Sequence, residues 1–413
     1  MNILIISQYF WPENFRINEM AKGLKDKGHN ITVLTGIPNY PQGKFYKGYS
    51  LSENRKENYS GVKIIRAVLI PRGNSSSVKL ILNCVSFAIC ASFTAIFSCK
   101  EKYDLIFVFE PSPITVGLPA VILKKLKKIP ILFWVQDLWP ESLSATGSIK
   151  SPFLLKIVGR FVKFIYKNCD KLLIQSKGFT ESIESFDIQL DKIQFFPNWA
   201  GESQLPKQNE EINKTNQIKS KFPDGFNILF AGNIGVAQDF ETIISAMENI
   251  PAYKNINLII MGEGRKRNWV KNQIKEKNLS NIYLFEKCLL AEIQYYYSNT
   301  DALLVSLKDE AIFNSTIPAK VQSYLYSGKP IIAALNGEGS KIIKESGSGL
   351  TCPSSDKKGL SEIILLMYNK TPEERKQMGK NGLNYYNENF EFKKLLNKLE
   401  SWMQDQLIKN NKA

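Results

Sequence analysis

The chain has 413 residues, 44% hydrophobic and 23% charged, with 54 Lys+Arg against 39 Asp+Glu and one histidine, His29. This is enough apolar material for two or three cored domains and argues against global disorder; one histidine excludes a His-Glu-x-x-His zinc site and leaves a Ser-His-Asp triad little to choose from. The cationic excess is uneven, 26 Lys+Arg against 15 Asp+Glu in residues 1–200 and 28 against 24 thereafter, a bias that attracts phosphates, nucleic acid or an anionic membrane, or serves solubility alone.

In chain order, apolar runs at 3–7, 31–35, 62–69, 104–109, 131–135 and 171–174 read as buried strands, with a helix over 18–27. The opening M-N-I-L-I-I-S has no basic leader or small-residue cleavage site, so no signal peptide is expected. Residues 80–97, LILNCVSFAICASFTAIF, lie between Lys79 and Lys100. Eighteen helical residues reach about 27 Å, just enough to span a bilayer. A span here would cut the first sheet in two, so a folded-domain helix lying on a membrane is the expectation. Residues 201–222 are polar and nearly devoid of core residues, as a linker or surface excursion is. Strand-like runs then resume at 227–231, 258–261, 282–285, 302–306 and 330–334, and a helical tail fills 372–409. Near-continuous apolar strands separated by helices imply parallel sheets covered on both faces, in two α/β domains in series. The cysteines, Cys84, Cys90, Cys99, Cys169, Cys288 and Cys352, include no C-x-x-C pair and read as free thiols in a reducing compartment.

Ligands of doubly wound sheets bind at the carboxyl ends of the strands. The turn after the first strand, S-Q-Y-F-W-P-E at 7–13, is not G-x-G-x-x-G, so nicotinamide chemistry has little support. The glycine-bearing turn opens the second domain instead: Gly232-Asn233-Ile234-Gly235, between a strand and a helix. Glycines there either admit a phosphate to a helix N-terminus or simply make a tight turn. Gly262-Glu263-Gly264-Arg265-Lys266-Arg267 sets three cations after two glycines, which suits a diphosphate or a solvated helix start. A third segment runs from Glu310 through Ser315-Thr316-Ile317-Pro318-Ala319-Lys320 to Gly328-Lys329-Pro330, and Lys320 is a candidate phosphate cation or an ordinary helix lysine. In the first domain Asp137 and Glu141 follow the strand ILFWV, as site carboxylates or as a helix start with its cap. No D-x-D occurs, so a metal held by that motif is unsupported.

Together these segments resemble family 4 of the GT-B glycosyltransferases. The opening ISQYFWPENFRINEMAKGLKDKGHNITVLTGIPNYP, VQDLWPES at 135–142, FPNW at 196–199, AGNIGVAQDFET at 231–242 and IPAKVQSYLYSGKP at 317–330 are similar to its L-fucosamine (N-acetylfucosamine) transferase-like branch in bacterial O-antigen and capsule synthesis. The resemblance spans about residues 1–390. It implies two Rossmann-like domains facing across a cleft: an acceptor domain over 1–198, a linker over 199–222, a nucleotide-sugar domain over 223–385, and a C-terminal helix over 386–413 packing back on the first. It implies metal-independent transfer, with no cofactor, of an amino-deoxy sugar from a UDP-sugar to an undecaprenyl-diphosphate-linked saccharide. The donor would meet Gly232, Asn233, Gly235, Gly262, Gly264, Glu310, Thr316, Ile317, Pro318, Gln322 and Ser323. Arg265 and Lys320 would steady the leaving diphosphate, Asp137 or Glu141 would orient or deprotonate the acceptor hydroxyl, and Tyr9, Trp11, Pro12, Glu13, Asn39 and Tyr40 would line the acceptor side. The family's paired glutamates fall on Ser315 and Ser323, and its loop lysine on Gln238, so those contacts depart from the pattern.

The apolar helix and Lys124, Lys125, Lys127 and Lys128 further predict docking on the inner face of the plasma membrane, from the cytoplasm. No nucleic-acid partner is expected, because no basic-aromatic motif is present. A UDP-sugar epimerase of the same fold and a catalytically weak scaffold of a polysaccharide assembly complex are the competing readings.

Overall fold

The computed structural model describes residues 1–73, 77–145, 149, 151–201 and 217–412. Residues 202–216, most of the polar excursion and of the expected 199–222 linker, fall outside them. The chain divides into two compact units, Met1–Pro197 with Lys393–Ala413, and Asn198–Phe392.

The first unit is built on an eight-stranded sheet in the order β3-β4-β2-β1-β5-β6-β7-β8. Its strands are β1 (Asn2–Ile6), β2 (Asn30–Gly36), β3 (Lys56–Tyr59), β4 (Val62–Ala67), β5 (Leu105–Glu110), β6 (Ile131–Val135), β7 (Lys171–Ile174) and β8 (Ile193–Phe195). All pairings are parallel except β3 with β4. The central strands β5 and β6 are buried at every position, as a sheet covered on both faces requires. Strand β3, KENY, is polar and β8 is only three residues long, so neither stands out in the sequence.

The apolar segment forms the helix Ser77–Ser98. It is long and apolar enough to cross a membrane, yet Phe87, Ala91 and Ala95 are fully buried in the unit's core. Its outer face leaves Val78, Ile81, Leu82, Val85, Ile89, Phe93 and Phe97 exposed. The helical tail is two helices, Pro372–Asn389 and Phe392–Lys412. The first stays in the second unit, where the Tyr386 hydroxyl accepts from the Ala200 N–H at 3.0 Å. The second returns to the first unit at Lys393, later than the 386 expected. There Glu400 receives Lys27 Nζ at 2.6 Å and His29 Nε2 at 2.8 Å, so the sole histidine is an anchor for the terminal helix.

The second unit has six parallel strands in the order β11-β10-β9-β12-β13-β14. They are β9 (Phe226–Ala231), β10 (Ile256–Met261), β11 (Ile282–Phe285), β12 (Ala302–Ser306), β13 (Ile331–Ala334) and β14 (Gly349–Cys352). This is the doubly wound order with its reversal between β9 and β12, where such sheets bind ligands. The corresponding reversal of the first sheet lies between β1 and β5.

Candidate active site

In the second unit the two glycine turns pack backbone against backbone. The Gly232 N–H donates to Met261 O at 2.9 Å, and the Ile234 N–H to Glu263 O at 2.8 Å. A Cβ on Gly262 would stand 1.9 Å from Gly232 O, so no side chain fits there. Gly232, at φ +134°, serves a different neighbour: its missing Cβ would meet Lys320 Cε at 2.8 Å. The helix Ala319–Ser327 thus lays Lys320 beside the first turn, with Nζ 3.5 Å from the centre of the Phe230 ring. Among the described residues no carboxylate pairs with that ammonium, and desolvation pushes its pKa down to about 7. A cation held on a ring face, short of water and unneutralised, is arranged to receive an anion.

The three cations of the second turn take different places. Arg267 Nη1 donates to Gly262 O at 2.8 Å and Phe285 O at 3.1 Å, fastening the turn. Lys266 pairs with Glu241 at 2.7 Å. Arg265 is exposed and has no partner among the described residues. Asn233 and Gly264 are exposed, Gly262 is buried, and Glu310 is half-buried just before the helix Ala311–Ser315. The backbone donors of two residues expected to meet the donor sugar nucleotide are occupied: the Gly235 N–H donates to Gln238 Oε1 at 3.1 Å, and the Thr316 N–H to Phe313 O at 3.3 Å. The Thr316 hydroxyl also turns back, donating to Ile312 O at 2.8 Å. Ile317 packs inside, Pro318 caps the Lys320 helix, and Ser323 is buried. Gln322 is fully buried with neither end of its amide bonded, as is the Ser306 hydroxyl at the end of β12. Such groups cost free energy unless a ligand or water meets them.

In the first unit Asp137 follows β6, and its N–H reaches Glu110 Oε2 at 3.4 Å. Glu110, the last residue of β5, is fully buried with Oε1 unbonded. Burial, then the charge of Asp137, holds the Glu110 carboxyl well above the usual carboxylate range. Asp137 itself is raised to about 6, chiefly by burial. Glu141 is half engaged: its Oε1 accepts from Ser182 Oγ at 2.5 Å, while Oε2 is buried and unbonded. At about 6, Asp137 lies close enough to neutrality to serve as a general base. Glu110 escaped the sequence reading, although a glutamate ending an apolar strand, LIFVFE, is a visible signal.

After β1, Tyr9 stacks on Phe15 with ring centres 5.1 Å apart, and Tyr40 leans on both. Glu13 Oε1 accepts the N–H groups of Asn39 at 2.8 Å and Tyr40 at 2.7 Å, tying the turn after β1 to the turn after β2. Burial raises Glu13 to about 7. Trp11 is not part of this cluster: it stacks on Tyr59 at 4.9 Å, and its carbonyl accepts from the buried Arg66 at 2.8 Å. Pro12 follows it, half-buried. Arg72 joins the cluster unannounced by the sequence, its guanidinium 4.9 Å from the Tyr40 ring centre.

Residues 14–199 match the glycosyl transferase 4-like domain, and residues 211–385 match glycosyl transferases group 1. The chain is 29% identical over 234 residues to the probable glycosyltransferase WbjE of Pseudomonas aeruginosa, covering 56% of this chain and 58% of that protein. It is 24% identical over 344 residues to the putative colanic acid biosynthesis glycosyl transferase WcaI of Escherichia coli, covering 81% and 83%. Among solved structures, Anabaena Alr3699/HepE in complex with UDP-glucose superposes with a TM-score of 0.70 at 14% identity, over 98% of this chain and all of that one.

Proposed function

Because the chain is a glycosyltransferase with the GT-B fold, we propose that it moves an amino-deoxy sugar of the N-acetylfucosamine type. The donor is a UDP-sugar and the acceptor a lipid-linked saccharide of bacterial surface polysaccharide. The observation that carries the donor half is Lys320, a half-buried ammonium beside the Gly232 turn with no carboxylate partner among the described residues. A leaving diphosphate is the anion that such a cation stabilises, more so as charge builds in the transition state. Arg265 is the second, exposed cation of the same turns. UDP-glucose bound in the Anabaena protein supports the nucleotide assignment, and the name of WcaI supports polysaccharide synthesis.

On the acceptor side Asp137 takes or orients the hydroxyl proton, with Glu110 beneath it as a positioning residue. Transfer proceeds without a metal, since cations of the chain meet the diphosphate and the sequence lacks D-x-D. The enzyme works at the cytoplasmic face of the plasma membrane, held there by the exposed apolar face of the Ser77–Ser98 helix.

A thermal-shift series with UDP, GDP, dTDP and UDP-GlcNAc in EDTA tests the donor assignment. Stabilisation by UDP and UDP-GlcNAc alone is expected, about 2.7 kcal/mol at a hundred times the dissociation constant. A flat response from folded protein would overturn it. Transfer from UDP-sugars to lipid-linked acceptors, against an acceptor-free control, separates a transferase from an epimerase.

A further inference from the structure

Outside the donor site, Arg72 is a cation held in place by its neighbours. Its backbone N–H donates to Asn39 Oδ1 at 3.1 Å, and the next residue, Gly73, donates to Gly43 O at 2.8 Å, so the segment is pinned. The guanidinium lies 4.9 Å from the Tyr40 ring centre and 5.7 Å from that of Tyr9, and Nη1 donates to the Tyr9 hydroxyl at 2.9 Å. Among the described residues no carboxylate pairs with it, and its one side-chain hydrogen bond is that from Nη1 to Tyr9. The nearby carboxylate, Glu13, is committed to two backbone N–H groups. Ring faces steady a guanidinium without neutralising it, and the free edge of its fork matches two phosphate oxygens.

The second observation is what adjoins it. Asn83 of the Ser77–Ser98 helix donates to Ile70 O at 2.6 Å and accepts from Gln8 Nε2 at 2.7 Å. Ile70 N–H in turn donates to Ser86 Oγ at 2.9 Å, and the Arg72 charge is felt at the Cys84 thiol on the same helix. The cation is therefore fixed to the flank of the helix whose outer face exposes Leu82, Val85, Ile89 and Phe93 on successive turns. Gln8, 1% exposed, leaves Oε1 unbonded in this network, an acceptor for an incoming hydroxyl.

We propose that Arg72, stacked on Tyr9 and Tyr40, binds the diphosphate of a polyprenyl-diphosphate-linked acceptor, whose prenyl chain lies along the exposed apolar face of the Ser77–Ser98 helix. The proposal rests on the lipid-linked acceptor of the preceding section and names the residue that reads its charged link. An anion and an alkyl chain joined in one molecule match a fork and an apolar row joined on one element.

Calorimetric titration of the whole protein with farnesyl diphosphate, farnesol and inorganic diphosphate tests it. Farnesyl diphosphate should bind at least tenfold tighter than either fragment. R72A should weaken it tenfold or more, R72K by less, and V85E, at an exposed position, should weaken farnesyl diphosphate but not inorganic diphosphate. The UDP-induced thermal shift of R72A should equal that of the wild type, which also certifies its fold. Unchanged binding by R72A, or no binding by the wild type, overturns the proposal. Inorganic diphosphate binding as tightly as farnesyl diphosphate overturns its lipid half. Loss of UDP binding with Arg72-dependent farnesyl diphosphate binding intact would instead sink the donor assignment and leave this site standing.

Discussion

At the scale of single residues, Lys320 and Asp137 make opposite demands on pH. The folded chain holds Lys320 at about 7 against an ordinary 10.5. Between those values the unfolded chain keeps a proton that the folded chain has released, so stability rises with pH across that window. K320M removes the half-buried, desolvated ammonium, and the unliganded protein should gain on the order of 1 kcal/mol near pH 7, seen as a higher Tm. The same variant should bind UDP-GlcNAc at least tenfold more weakly, and wild-type affinity should fall as pH rises through about 7; a variant both less stable and equally tight would refute the anion-binding role. Asp137 acts as a base when ionised, so kcat/KM should climb as pH rises through about 6, the value to which burial lifts it. D137N should lower kcat by roughly 10²- to 10⁴-fold and lose that limb, measured in initial rates of transfer.

At the scale of elements, the two glycine turns and the apolar helix show what packing adds to pattern. Gly262 stands against Gly232 O, and a methyl group there meets backbone at 1.9 Å. G262A should therefore displace the turn that Arg267 fastens, with a lower Tm and weaker UDP binding together in differential scanning fluorimetry. On the Ser77–Ser98 helix the inner and outer faces are both apolar and have different uses. Phe87 is fully buried, and F87A should cost about 3–5 kcal/mol by the cavity it leaves. Phe93 is 60% exposed, so F93E should spare stability and abolish flotation with phosphatidylglycerol-rich vesicles. Wild-type protein that fails to float at low salt would end the membrane assignment.

At the scale of the whole molecule, the chain leaves the first unit after Pro197 and re-enters it at Lys393. The terminal helix is held by Lys27 and His29 converging on Glu400, whose carboxyl their hydrogen bonds and charges lower. A depressed acid contributes stability above its unfolded pKa and loses it as pH falls through the folded one. E400Q should therefore lower the Tm at pH 7, and the deficit should close as acidification protonates the Glu400 carboxyl; a deficit independent of pH would show that shape, not charge, holds the helix.

The alternation of apolar strands with helices was written in the sequence, because a parallel sheet covered on both faces needs unbroken runs such as LIFVFE and ILFWV. So were the glycine turns and Lys320, since a turn motif and a helix start are local. The strands β3, β8 and β14 were not legible: short edge or half-buried strands carry little apolar signal. Nor was the sorting of Arg265, Lys266 and Arg267 into one free and two engaged cations, which depends on where Gly262 O, Phe285 O and Glu241 come to rest. Glu110 and Arg72 became candidates only when folding set them beside Asp137 and Tyr9, residues distant in sequence. A local pattern fixes what a segment can form. Which charges end up unpaired is decided by contacts across the chain, and in this protein those unpaired charges are its candidate chemistry.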